Sequence, residues 1–327
     1  MKAIVMEGPK KSRVVEVAEP KINDDQLLVK VKYTGMCHSE WFPWTVATKG
    51  TRFGHEPMGT VEEVGSNVRG FKKGDRVSGL GGGFCEYIAL DPRNTIHIPD
   101  NISDEDGVVE PLSCLLSAAS KMPITLPGDH VAVVGAGYMG LGMISLFRLK
   151  GAGKIIAVDP RKEARENALK YGASEVFTPE ELPEEYILNW GNISDDLTEV
   201  EKQVDIFNTG FKTVMEFTGT EEGLRLAGDM VSAHGILGIG GYHNDTDRNI
   251  DFKLWNYKSF TAVNCHERRL DYHIQCCRNA FDLLSTGKWQ FKGVNNSIYS
   301  MEDFDLANED MESKPKGYIK ALVSCSK

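Results

Sequence analysis

The run His130-Val131-Ala132-Val133-Val134-Gly135-Ala136-Gly137-Tyr138-Met139-Gly140 leaves this chain few folds to choose from. A short apolar stretch enters a G-x-G-x-x-G turn, and the turn opens a helix-like segment reaching Lys150. The next apolar stretch, Lys154 to Val158, ends on Asp159, about 20 residues past the last glycine. In that order the glycines have separate tasks. Gly135 permits the tight turn, Gly137 lets the backbone approach a pyrophosphate, and Gly140 lets helix and strand pack closely. Tyr138 and Met139 complete a loop whose helix N-terminus presents N–H groups to phosphate. Asp159 is placed to accept hydrogen bonds from ribose hydroxyls and would repel a 2′-phosphate, which favours NAD over NADP. Arg161, two positions on, can host that phosphate and works against the inference.

The strand, turn and helix order repeats through Arg161 to Tyr171, with further sheet candidates at Glu175 to Phe177, Thr213 to Phe217, Gly235 to Ile239 and Phe260 to Val263. Six such strands make a complete doubly wound parallel α/β domain, expected over residues 123–265. A chain of 327 residues has room for about two domains. The remainder, 1–122 completed by 266–327, reads as β-rich, with strands at Ala3 to Met6, Val14 to Val17, Gln26 to Thr34, Gly59 to Gly65, Lys73 to Val77 and Gly83 to Ala89. Ser103 to Val109 and Leu112 to Lys121 have helical composition, with Glu110 at the break between them. The acidic segment Thr178 to Asp205 suggests a helix or two. Arg268 to Leu284 reads as helix, and Lys316 to Val323 as a strand that rejoins the first domain.

That first domain carries metal-binding chemistry. Gly35-Met36-Cys37-His38-Ser39-Glu40 and Gly54-His55-Glu56-Pro57-Met58-Gly59 place a thiol, a hydroxyl, an imidazole and carboxylates on short loop-like segments. Cys and His suit Zn²⁺, and carboxylates can complete the set. A lone Cys near a lone His is more often a buried thiol and a core imidazole. Glu110, just ahead of the dinucleotide pattern, shifts the balance toward metal.

Together these motifs resemble the zinc-dependent medium-chain dehydrogenase/reductase family, whose catalytic half carries G-x-C-x-[ST] followed by G-H-E. Glu110-Pro111-Leu112 is similar to the sorbitol and polyol dehydrogenase branch, where alcohol dehydrogenases proper have Cys. The resemblance implies a GroES-like catalytic domain and a Rossmann cofactor domain. It also implies one Zn²⁺ drawn from Cys37, His55, Glu56 and Glu110, with Glu56 and Glu110 unranked as direct ligands and Glu56 also in the catalytic set. Ser39 is implied to pass the alcohol proton, and His38 is read here as a cofactor-phosphate contact rather than a metal ligand. Relatives often continue that relay with a His three positions beyond Ser39. Here the position is Phe42, so the proton must leave by the nicotinamide ribose, water or His38. Many relatives also insert a lobe of closely spaced cysteines for a structural zinc, but Ser78 to Cys85 has one cysteine and little room, so no such site is expected. Trp41, Phe42, Trp44 and Phe84 fit either a sugar-like substrate's C–H face or core packing. His266, Glu267, Arg268 and Arg269 lie where polyol-branch relatives contact substrate and cofactor, or form a solvated charged turn.

Composition excludes other classes. A formal charge of −10 argues against nucleic acid and anionic membrane as partners. No apolar run approaches the ~18 residues of a membrane span, and the first residues do not read as a secretory signal, so a cytoplasmic location is expected. Seven cysteines without a C-x-x-C pair fit reduced thiols. The expected protein is an NAD-dependent polyol-type dehydrogenase, a homodimer or homotetramer acting on a small alcohol or ketone. The alternatives are a metal-free quinone or enone reductase and a non-catalytic nucleotide-binding protein.

Overall fold

The computed structural model describes residues 1–123, 127–191, 193 and 208–326. The chain divides into two compact units, Met1–Cys114 with Arg268–Lys327, and Leu115–Glu267.

In the first unit, β1 (Lys2–Gly8) and β2 (Lys11–Glu16) form an antiparallel pair. A larger sheet joins β3 (Leu27–Gly35), β4 (Pro57–Val64), β5 (Arg76–Gly79), β6 (Tyr87–Leu90), β7 (Thr95–His97), β14 (Asn295–Ser300) and β15 (Lys320–Ser324). Its order is β14-β15-β3-β4-β5-β7, with β6 also on β3. Leu27, Val29 and Val31 are essentially buried, while Lys32 points outward, as a period of two requires. Around them Ile4, Met6, Trp44, Val61, Phe84, Cys85, Phe304 and Val323 form one core cluster.

This sheet sets the positions of the metal-type residues. β3 and β4 are antiparallel and pair Thr34 with Pro57, so the exit from β3 toward Cys37 lies beside the entry to β4 from His55 and Glu56. Gly35 N–H donates to the Glu56 carbonyl at 3.0 Å. β15 completes the arrangement, with Leu322 opposite Gly35 and Met36 N–H donating to the Ala321 carbonyl.

The segment before Glu110 departs from expectation. Only one 3-10 turn, Glu105–Gly107, forms, and the chain is already extended at Val108. Glu110 is not at a break but is the first residue of a helix. After the short α1 (Trp41–Thr45), that helix is α2 (Glu110–Lys121). Pro111 is tolerated there because a first-turn N–H has no intrahelical acceptor to lose.

The second unit holds β8 (His130–Val134), β9 (Lys154–Val158), β10 (Glu175–Phe177), β11 (Phe211–Glu216), β12 (Val231–Ile239) and β13 (Thr261–Asn264). All are parallel in the order β10-β9-β8-β11-β12-β13, a doubly wound sheet with its reversal between β8 and β11. Helices α3 (Tyr138–Leu149), α4 (Lys162–Lys170), α5 (Glu221–Met230) and α6 (Phe252–Lys258) follow strands, as right-handed crossovers demand. β12 starts earlier than its sequence suggests because α5 runs directly into it. In the acidic segment, Pro179–Glu181 and Glu184–Tyr186 form two single 3-10 turns rather than α-helix, each opened by a proline. Residues 192 and 194–205 of that expectation lie outside the described residues. Lys258 is fully buried and donates to the carbonyls of Leu188, Gly228 and Asp229 at 2.7–3.0 Å, closing the C-terminal end of α5.

The C-terminal segment returns to the first unit with α7 (Leu270–Ser285) and α8 (Phe304–Ser313). Among the described residues, no helix is long and apolar enough to cross a membrane.

Candidate metal and cofactor sites

The paired ends of β3 and β4 bring the donor atoms of Cys37, His55 and Glu56 within 4.8 Å of one another, all in the first unit. Ser39 Oγ donates to Cys37 Sγ at 3.1 Å. Glu40 turns back to bond His55 Nδ1 at 2.9 Å and accepts from Gly54 N–H at 2.8 Å. A carboxylate behind an imidazole fixes its ring orientation and raises its basicity, which is how metal-ligating histidines are held. Burial pulls the His55 pKa down, but Cys37, Glu40 and Glu56 outweigh it and push it up to about 12. An ion entering here would displace that proton.

Glu56 is 1% exposed. Lys320 Nζ lies 2.8 Å from Oε2 and bonds Oε1 at 3.1 Å, and it also donates to the Met36 carbonyl at 2.8 Å. Oε2 has the lysine charge nearby but no aligned hydrogen bond. It fills space that only glycine leaves open, since a Cβ on Gly35 would sit 2.0 Å from it. A thiol, an imidazole and a buried carboxylate with an unmet acceptor fit Zn²⁺.

Glu110 is not in this set of three. It groups with Cys114 and His273, their donor atoms also within 4.8 Å of one another. Burial, then the Glu56 charge, pushes the Glu110 carboxyl up to about 7 against His55, Cys114 and Lys320.

In the second unit the glycine loop has the shape its pattern implies. Gly135 has φ +91°, and a Cβ there would strike the Phe217 and Thr218 backbone. A Cβ on Gly140 would lie 1.8 Å from the Gly135 carbonyl oxygen, so the helix meets the turn this closely only because Gly140 is bare. Gly137 faces open space and caps α3. Tyr138 is buried and Met139 half-buried at the start of that helix. Asp159, 4% exposed, is fully engaged: Oδ2 accepts from Ala136 N–H and Arg161 Nη2, and Oδ1 from Arg161 N–H and Nε, at 2.9–3.1 Å.

Other expected positions differ in environment. His38 is exposed, 3.1 Å from Glu312 Oε2 and stacked on Trp41, so a phosphate would have to displace an acid from it. Trp44 and Phe84 are core residues, each 2% exposed, whereas Trp41 and Phe42 are half-buried. In the second unit, Lys121 Nζ bonds the His266 carbonyl at 2.6 Å and lies 3.7 Å from Glu267.

Sequence reasoning missed four residues. Glu40 closes the Cys37 motif and could have been read as an orienting carboxylate. Cys114 stands at i+4 from Glu110, a legible helical spacing. Lys320 and His273 arrive from the far end of the chain and had no local signal.

Residues 23–100 match the alcohol dehydrogenase GroES-like domain. The chain is 27% identical to sorbitol dehydrogenase of Bacillus subtilis, covering 99% of this chain and 97% of that protein. It is 31% identical to (R,R)-butanediol dehydrogenase of the same organism over 53% of this chain and 62% of that one. The crystal structure of 2R,3R-butanediol dehydrogenase from Bacillus subtilis shares the fold, with TM-score 0.78, 23% identity and 99% of each chain covered.

Proposed function

We propose, for a chain that belongs to the zinc-type medium-chain dehydrogenase/reductase family and is polyol-dehydrogenase-like within it, oxidation of a secondary hydroxyl of a polyol, cyclitol or sugar-like compound with NAD⁺ as hydride acceptor. The observation that carries this reading is the convergence of Cys37, His55 and Glu56 within 4.8 Å beside the Ser39 hydroxyl. The names of the relatives, sorbitol and butanediol dehydrogenases, support the substrate class. A metal-free reductase would have no use for this donor set.

In this reading Cys37, His55 and Glu56 hold Zn²⁺, and Glu110 adds a further carboxyl close enough to feel Glu56 and His55. Zinc supplies Lewis acidity, bringing an alcohol's ionisation toward neutral pH and, in reverse, polarising a carbonyl. Glu40 holds the His55 ring for this task. Ser39 takes the hydroxyl proton of the substrate, and Phe42 provides no histidine to carry it further, so the proton passes to water, the nicotinamide ribose or His38.

The Gly135–Gly140 loop and the α3 N-terminus would hold the cofactor pyrophosphate. Asp159 would take the ribose hydroxyls once Arg161 releases part of its grip. A carboxylate at this position disfavours a 2′-phosphate and supports NAD over NADP, while the Arg161 guanidinium paired with it at 3.1 Å works the other way. The open edge of β13, where Thr261 and Ala262 are exposed, supports assembly as a homodimer or homotetramer.

Zinc analysis combined with a panel of polyols, cyclitols and sugar acids, run with NAD and NADP in parallel, tests the proposal. The expected result is bound zinc, turnover of at least one secondary alcohol, and a higher kcat/KM with NAD. A protein that binds no zinc, or reduces neither nucleotide with any alcohol, would refute it.

A further inference from the structure

We propose that Glu216, His243 and Arg248 form a hydrogen-bonded chain that positions the nicotinamide half of the cofactor, a role that rests on the Gly135–Gly140 loop binding a dinucleotide. The order of the strands decides which half. With the adenosine ribose at Asp159, past the end of β9, and the pyrophosphate at the Gly135 turn, past β8, the rest of the molecule is left with the ends of β11 and β12, across the reversal. Glu216 is the last residue of β11, and His243 and Arg248 lie between β12 and α6.

Glu216 ties those two strand ends together. Its side chain is fully buried. Oε1 accepts from Thr218 N–H, Thr218 Oγ1 and Gly219 N–H at 2.5–2.8 Å, while Oε2 accepts from Gly241 N–H at 3.2 Å and His243 Nε2 at 3.1 Å. Its backbone carbonyl takes the N–H groups of Gly240 and Gly241 as well. The two loops touch, since a Cβ on Gly241 would lie 2.6 Å from both Oε2 and the Gly219 nitrogen. The first of them also backs the cofactor turn, where a Cβ on Gly135 would lie 2.9 Å from the Phe217 carbonyl carbon. Burial pulls the Glu216 pKa up, but hydrogen bonds from His243, Thr218 and Gly219 outweigh it and hold the carboxyl below its ordinary range. The buried group is an anion shared between the loops.

His243 passes the connection outward. Arg248 Nε always carries its hydrogen and donates it to His243 Nδ1 at 2.9 Å. Nδ1 is therefore bare, and the one ring proton sits on Nε2, aimed at Glu216. Arg248 Nη2 donates to the Gly219 carbonyl at 2.7 Å and Nη1 to the Thr246 carbonyl at 3.1 Å, and the guanidinium also pairs with Asp245. The chain thus closes on itself, from Gly219 through Glu216, His243 and Arg248 back to Gly219. Loops ordered in advance lose less freedom when a ligand settles on them, and affinity gains by that amount.

The test compares NADH with ADP-ribose, which lacks the nicotinamide ring, by calorimetry on the full chain. Arg248→Met and His243→Phe, each with its circular dichroism spectrum checked, should weaken NADH on the order of tenfold and ADP-ribose by less than about twofold. In turnover the loss should fall on the KM for NAD⁺ rather than on kcat. Nitrogen-15 spectra of ring-labelled wild type should show one neutral histidine with its proton on Nε2, a signal missing from His243→Phe. Equal weakening of both ligands would mean a merely structural role and overturn the inference, as would unchanged NADH binding or a His243 proton on Nδ1. A wild type that binds neither ligand would refute the nucleotide reading and this inference with it, whereas the comparison of variants can fail while the wild type binds both.

Discussion

Replacing Lys320 with Met tests how the buried charge of Glu56 is maintained. Lys320 is 6% exposed and Glu56 1% exposed, with Nζ 2.8 Å from one carboxylate oxygen and 3.1 Å from the other. Removing one partner of a buried pair leaves an uncompensated charge and costs about 3–5 kcal/mol. The Met36 carbonyl also loses its donor, which adds to the loss. For domains of about 150–250 residues each kcal/mol lowers Tm by roughly 2–4 °C, so the metal-stripped variant should unfold on the order of 10 °C below wild type. Zinc should then raise the variant's Tm more than that of the wild type, because the ion supplies the positive charge that Lys320 no longer does. A second variant, Glu56→Gln with Lys320→Met, should lose less than the sum of the single changes, since neither carries a buried charge. Thermal unfolding of stripped and zinc-loaded samples measures all of this. A stripped Lys320→Met protein within 2 °C of wild type, or strict additivity in the cycle, would refute the argument.

Three further outcomes follow from other parts of the molecule. Burial pushes the Lys258 amine down to about 7 from 10.5, so between those pH values the unfolded chain binds more protons. Stability should therefore rise with pH across that window, by up to about 1.4 kcal/mol per unit, and be lost as pH falls toward 7. Lys258→Met should flatten this slope in denaturant titrations from pH 7 to 9.5, whereas parallel curves would show that the amine does not titrate there. Ser39→Ala should keep its zinc yet lose on the order of 10²–10⁴ in kcat, and an unchanged kcat would remove Ser39 from the proton path. Gly140→Ala would place a methyl 1.8 Å from the Gly135 carbonyl oxygen, a backbone atom with nowhere to go. NADH binding followed by fluorescence should weaken at least tenfold, and unchanged binding would mean the loop geometry does not matter for the cofactor.

Local chemistry made much of this protein readable. The β8 strand, the bare glycines and Asp159 lie within one continuous βαβ unit, where neighbours in sequence are neighbours in space, and the six-strand doubly wound sheet follows from repeating that unit. Cys37, Ser39, His55 and Glu56 were visible for a related reason: they flank two strands that pair directly, so antiparallel register alone brings them together. Helix limits were less legible around Glu110, because the composition of Ser103 to Val109 is helical while the backbone is already extended at Val108.

Only the tertiary structure decided the rest. Lys320 reaches Glu56 because β15 returns to pair with β3, a register set by long-range packing that no local pattern encodes. His273 reaches Cys114 because α7 comes back to the first unit after the second has been completed. The same long-range assembly added His273 to Glu110 and Cys114, which already stand one turn apart on α2. Residue types and local spacing determined what chemistry this chain could carry, and side-chain direction, fixed only when distant segments pack, determined which donors face one another.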